Sequence, residues 1–156
     1  MTDTLKSICE QCTHLHSQQL GFIPAESQRQ REIIQRDLAE LISAGSLERE
    51  KSVIVLAGSL FESVLYSFIQ SQAAFISIRR GSFAFDPNHS LSNFVNIFNR
   101  WFSDVFLIPD IVIGYRDMVH MNRELQYPRD ACSGGAREML RLLDSFFEAL
   151  ERYFAG

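Results

Sequence analysis

The sequence predicts an all-α fold, an antiparallel bundle of about five to six helices. Three observations carry that prediction. Apolar residues recur at three- and four-residue spacing through most of the 156 residues. No strand and helix alternation of the βαβ kind is present, and the links between helical stretches are short. Hydrophobic residues make up 46% and charged residues 22%, with 13 Phe, the balance of a chain that builds one thick core. That length suits a single domain over residues 1–156.

The elements follow in order. Leu5, Ile8, Cys12 and Leu15 mark a first helix that ends near Gly21. A second begins at about Ser27 with Ile33, Ile34, Leu38, Leu41 and Ile42 as its stripe, and Gly45 is its expected stop. Ser46 is the expected cap of a long third helix, with Glu48 and Glu50 in the first turn, where the helix dipole favours acids. Between Val53 and Ile78, Glu62 is the only charged side chain. The stretch is long enough to span a bilayer, but Ser59, Ser63, Ser67, Gln70, Ser71 and Gln72 and the mid-span carboxylate argue for a central helix buried on most sides.

Phe75 to His89 reads as an irregular connection with room for a short strand. Ser90 opens a fourth helix bearing Leu91, Phe94, Val95, Phe98, Trp101 and Phe102. Pro109 suits the first turn of a fifth, which Tyr127 and Pro128 end. Gly134 and Gly135 precede a last helix with Met139, Leu142, Leu143, Phe146, Phe147, Leu150, Tyr153 and Phe154 on its apolar side.

The net charge of −4 and pI near 5.5 exclude a global positive field that would draw in a polyanion, so any RNA contact must be local. Arg79 with Arg80, and Arg29, Arg31 and Arg36, read as solvated faces. No basic stretch leading into an apolar run opens the chain, and three cysteines are too few for a disulfide framework, which together predict a cytoplasmic protein. Cys9, Cys12, His14 and His16 have the residue types of a zinc site, but on one helix His14 points away from the other three. The string reads better as an apolar stripe, and no metal or cofactor is expected. His89 stands alone before a helix start and is assigned no chemistry.

On the fifth helix Ile111, Tyr115, Met118 and Asn122 share the face expected to seek the core, with Val112 and Val119 beside it. Arg116, His120 and Arg123 fall within roughly 60° of one another on an adjacent sector, away from the core. Two guanidiniums and an imidazole suit a phosphate, since arginine forks onto its oxygens and histidine exchanges a proton near neutral pH. A structural reading stands beside this one, in which Arg116 pairs an acid and His120 packs. Glu62, alone on an uncharged helix, needs a partner, and Arg116 is the candidate.

Leu56 to Leu65 (LAGSLFESVL), followed by Tyr115 to Glu124 (YRDMVHMNRE), resembles the pattern of the HEPN superfamily over roughly residues 35–154. The likeness is to a bacterial subset with Arg-Asn-x-x-His-Pro followed by Arg-Glu. Arg116, His120, Arg123 and Glu124 match, while Asp117 stands for the Asn and Met121 for the Pro. The resemblance implies a helical bundle working as a homodimer, with metal-independent cleavage of RNA by its own 2′-hydroxyl. His120 would move the proton, Arg116 would stabilise phosphate charge, and Glu62, Asp117 and Arg123 would support them. It also implies a toxin-type or defence setting with an antitoxin or nucleotidyltransferase-type partner protein. Only three residues separate Arg116 from His120, fewer than in cleaving members, and Asp117 sets a negative charge beside the arginine. A non-catalytic helical module that binds a protein, a nucleotide or RNA is the alternative. Val55, Tyr66, Ile69 and Ile113 lie off the main core faces and are the expected surplus for a twofold contact.

Overall fold

The computed structural model describes residues 3–17, 20–24, 26–80, 83–118 and 131–156. Among them the fold is all-α, with seven helices and no strand: α1 (Leu5–Gln11), α2 (Thr13–Ser17), α3 (Gln28–Ser46), α4 (Glu50–Arg80), α5 (Leu91–Phe102), α6 (Ile111–Met118) and α7 (Ala131–Ala155). The bundle expected from the sequence is present, with more helices than expected because the first is broken in two.

The break falls at Cys12, whose ψ of 71° leaves the helical region. A break frees backbone N–H groups in the next first turn. Asp144 of α7 accepts one of them, from Leu15, at 3.1 Å. The two short helices are thus held from outside, against α3 and α7, rather than by their own ladder.

Gly45 does not stop α3. The helix runs on to Ser46 and closes one turn later in a Schellman motif, with the Glu48 N–H on the Gly45 carbonyl and the Arg49 N–H on the Ala44 carbonyl. The left-handed position is Glu48, at φ 56°, where a glycine is usual. Gly45 is needed for a different reason. A Cβ there would lie 2.6 Å from Cys9 Sγ and 2.9 Å from Cys9 Cβ, so α1 and α3 touch through the missing side chain. Ser46, the expected cap of α4, is instead the last residue of α3, and α4 begins at Glu50. Gly134 and Gly135, expected to precede the last helix, lie inside α7.

Helix α4 is the centre of the bundle, about 46 Å long at 1.5 Å per residue, and α3, α5, α6 and α7 all pack on it. Burial on several sides explains why its apolar residues do not form one stripe. Val53, Ala57, Leu60, Val64, Leu65 and Ile69 have no exposed surface, which removes Ile69 from the expected surplus at a dimer contact. Tyr66 and Ile113 are half-buried against the core, and Val55 is exposed. Of the described helices α4 alone is long and apolar enough to cross a membrane, yet 61% of its most apolar window is buried inside the bundle. Its length therefore serves the core.

Phenylalanines fill the space between α4, α5 and α7. Phe146 is stacked on Phe61 at 5.5 Å and meets Phe98 edge-on at 5.4 Å, and Phe68 meets Phe98 and Phe102 at 5.3 and 4.8 Å. Burying such a ring contributes about 1.5–3 kcal/mol, and the edge-on geometry adds a little more. Ser90 caps α5 as expected, accepting from the Asn93 N–H at 3.2 Å. After α5 the Asn99 amide clamps the connection, donating to the Ile108 carbonyl at 2.8 Å and accepting from its N–H at 2.9 Å. That clamp fixes where α6 begins.

Candidate functional site

The site is built where α6 crosses α4. Val112 is fully buried, whereas Ile111, expected on the core face, is 40% exposed. The face of α6 that packs inward is therefore centred on Val112, and Arg116, one turn later, lies on that side rather than away from it. Its stem runs over Gly58. A Cβ on Gly58 would lie 3.1 Å from Arg116 Cδ and 3.2 Å from Cγ, so the glycine provides the bed for the arginine.

One turn along α4 from Gly58 is Glu62. Its Oε2 lies 3.1 Å from Arg116 Nη1, with the side chains 35% and 40% exposed. The pair expected from the sequence is formed, but it is half-open to solvent rather than closed in the core. Water screening keeps such a pair to about 1 kcal/mol or less. A guanidinium carries five donors and one carboxylate cannot occupy them all, so Arg116 can hold Glu62 and an anion together.

Tyr115 points to the other side of α6, where its hydroxyl donates to Glu138 of α7. Burial, that hydrogen bond and the carboxylate charge push the phenol up to about 12. Arg116 and Tyr115 thus tie α6 to α4 and α7 respectively. Asp117 is exposed. His120 and Arg123, with Asn122, Met121 and Glu124 of the same motif, lie outside the described residues, as does Val119.

A groove of about 460 Å³ lies beside the ion pair, between α3, α4 and the segment that enters α5. Ser59, Glu62 and Ser63 form its polar edge, Ile33 and Ile34 one side, and Tyr66 with Phe94 an aromatic wall. Apart from Glu62, the residues that shape it were not singled out as site residues by sequence reasoning. The signal was present in the four-residue spacing of Ser59, Ser63, Ser67 and Ser71, a polar line on an otherwise apolar helix.

The Cys9, Cys12, His14 and His16 string is dispersed as the apolar-stripe reading expects. Cys9 and Cys12 are buried, with their Sγ atoms 3.7 Å from the Ile42 and Leu140 carbonyls. His16 Nε2 donates to the Cys9 carbonyl at 2.9 Å, and His14 Nδ1 sits 3.2 Å from Glu151. Desolvation is the main force that raises both thiols, Cys12 to about 12. No group of three or more metal-ligating side chains forms among the described residues. His89, assigned no chemistry, lies 3.5 Å from Asp86 and edge-on to Phe94.

Compared with models of protein families, with curated proteins and with solved structures, the chain finds no match.

Proposed function

We propose that the chain is a HEPN-like, RNA-directed protein in which Arg116 takes a backbone phosphate, and that it acts as a metal-independent endoribonuclease of the toxin or defence type. The observation that supports this reading is the half-open Arg116 and Glu62 pair, which holds a guanidinium in one orientation and leaves it facing solvent beside a groove. Orientation without closure is what phosphate binding needs. His120 is the proton-moving group in this proposal, and the 2′-hydroxyl of the RNA is the nucleophile. The protein acts in the cytoplasm as a homodimer. Val55 and Ile111, both apolar and exposed, lie on the two helices that carry Glu62 and Arg116 and support a contact there. An antitoxin or nucleotidyltransferase-type protein is the expected partner.

The second reading is a non-catalytic binding module. The 3.1 Å pairing favours it, because a carboxylate already neutralises the arginine and Asp117 adds a second negative charge nearby in sequence. Incubating wild type and His120→Ala with structured and single-stranded RNA in EDTA separates the two. Cleavage that leaves cyclic phosphate ends and vanishes in the variant establishes the ribonuclease. A folded, dimeric wild type that leaves every RNA intact overturns the ribonuclease and makes the binding module the working reading, with partner capture as the next step.

A further inference from the structure

The groove beside the ion pair has a graded lining. At one end stands Glu62, whose Oε2 meets Arg116 of α6 at 3.1 Å at the groove's border. One turn along α4, Tyr66 meets Phe85 edge-on at 4.9 Å and Phe94 at 6.1 Å, contacts that brace its ring. At the same level Ser67, itself 2% exposed, donates to Gln30 Oε1 at 2.7 Å, and Gln30 Nε2 donates to Gln70 Oε1 at 2.9 Å. The Gln30 amide is thereby held in one orientation, with a second N–H and a second lone pair left over.

We propose that this groove holds one nucleotide of a single-stranded RNA, with its phosphate on Arg116, its 2′-hydroxyl on Glu62 and its base against Tyr66. The inference rests on the RNA reading above and assigns the strand its seat. Volume permits it, since about 460 Å³ falls within the roughly 300–1,000 Å³ of ligand pockets. The chemistries follow the order within a nucleotide: a cation on α6 for the phosphate, a carboxylate on α4 for the sugar, then an aromatic ring on α4 and an amide on α3 for the base. Glu62 and Tyr66 are four residues apart, one helical turn or about 6 Å, the scale of the step from ribose to base.

Glu62 gives the proposal its selectivity. A carboxylate that holds a guanidinium through one oxygen keeps lone pairs for a hydroxyl donor. Deoxyribose offers no such donor, and the 2′-hydroxyl is the group by which proteins tell RNA from DNA. An aromatic wall accepts any base by stacking, and the apolar Ile33 and Ile34 on the other side favour a planar ring over a charged group.

The test measures binding rather than cleavage, so that the reacting 2′-hydroxyl does not confuse the result. Fluorescence anisotropy compares a labelled ribo-oligonucleotide with its 2′-deoxy counterpart on full-length His120→Ala. The ribo form is expected to bind about tenfold tighter or more, the scale of one charge-assisted hydrogen bond. Glu62→Gln should shrink that ratio, and Ser63→Leu, which fills the groove, should weaken the ribo form about tenfold with the helical content unchanged. If Ser63→Leu fails to fold, Gln30→Ala at the groove edge provides the same comparison. Equal binding of ribo and deoxy forms, or RNA binding indifferent to Ser63→Leu and Gln30→Ala, overturns the groove and leaves the RNA reading standing. No binding of either strand by folded protein overturns both.

Discussion

Replacing Gly45 by alanine tests the idea that α1 and α3 meet through a missing side chain. The new Cβ would sit 2.9 Å from Cys9 Cβ and 2.6 Å from Cys9 Sγ, with Leu140 Cδ1 a further neighbour at 4.0 Å. Carbon atoms rest at about 3.5–4.0 Å, so α1 must retreat by roughly 1 Å or distort. Overpacking of that kind costs about 1–3 kcal/mol. Alanine recovers about 0.8–1 kcal/mol of helix propensity, leaving a net loss of roughly 0–2 kcal/mol, or up to about 8 °C in Tm for a domain of this size. Urea denaturation followed by circular dichroism reads it. Gly134→Ala is the control, since that helical glycine has nothing within 4 Å and should gain up to about 1 kcal/mol. In a Cys9→Ala background the Sγ contact is gone and the Gly45→Ala penalty should fall by about 0.5–1 kcal/mol. A Gly45→Ala protein as stabilised as Gly134→Ala would refute the reasoning, for it would mean that the two helices do not touch there.

Gly58→Ala gains propensity but presses on Arg116 Cδ and Cγ. Its stability should stay within about 1 kcal/mol of wild type, while RNA binding falls as the guanidinium leaves its place, an outcome read by pairing thermal melts with anisotropy. Glu48→Gly removes a left-handed side chain from the α3 terminus and should stabilise by about 0.5–1 kcal/mol in denaturant titration. Cys12 ionises well above the usual thiol range, at about 12 in place of 9.0. The folded state therefore binds its proton more tightly than the unfolded chain, so this contribution is whole below about pH 9 and is lost as pH rises from there toward 12. Cys12→Ser should flatten that alkaline decline in melts taken across the same window. Asn99→Ala deletes both bonds of the clamp before α6 and should cost about 1–3 kcal/mol, with faster hydrogen exchange at Ile108; exchange that stays as slow as in wild type would rule the clamp out.

What the sequence showed and what it hid divide along a physical line. The α5 cap was legible because Ser90 acts on a backbone group three residues away. The Glu62 and Arg116 pair was legible because a single carboxylate on a long uncharged stretch must be matched, although periodicity turned Arg116 away from the core. The break at Cys12 was hidden because its stabiliser, Asp144, is remote in sequence. Gly45, Gly134 and Gly135 misled because a glycine signals a stop only when the backbone needs a positive φ, and here one of them makes room for a neighbour. Ile111 misled because periodicity places a stripe only to within a residue, and α6 turns Val112 inward instead. The groove was hidden because three separated segments make it, each with side chains that look ordinary alone.

The position of α4 along the chain has a consequence during synthesis. The helix emerges from the ribosome before α5, α6 and α7, which cover most of it, so for the time needed to make nearly half of the chain its apolar sides have only α3 to lie against. In that interval it has the length and composition by which targeting factors recognise a membrane segment. Glu62 and the line of serines make that stretch costly to place in lipid. The carboxylate that steadies Arg116 thus stands without that partner until residue 116 has been made, and water must hold it in the meantime.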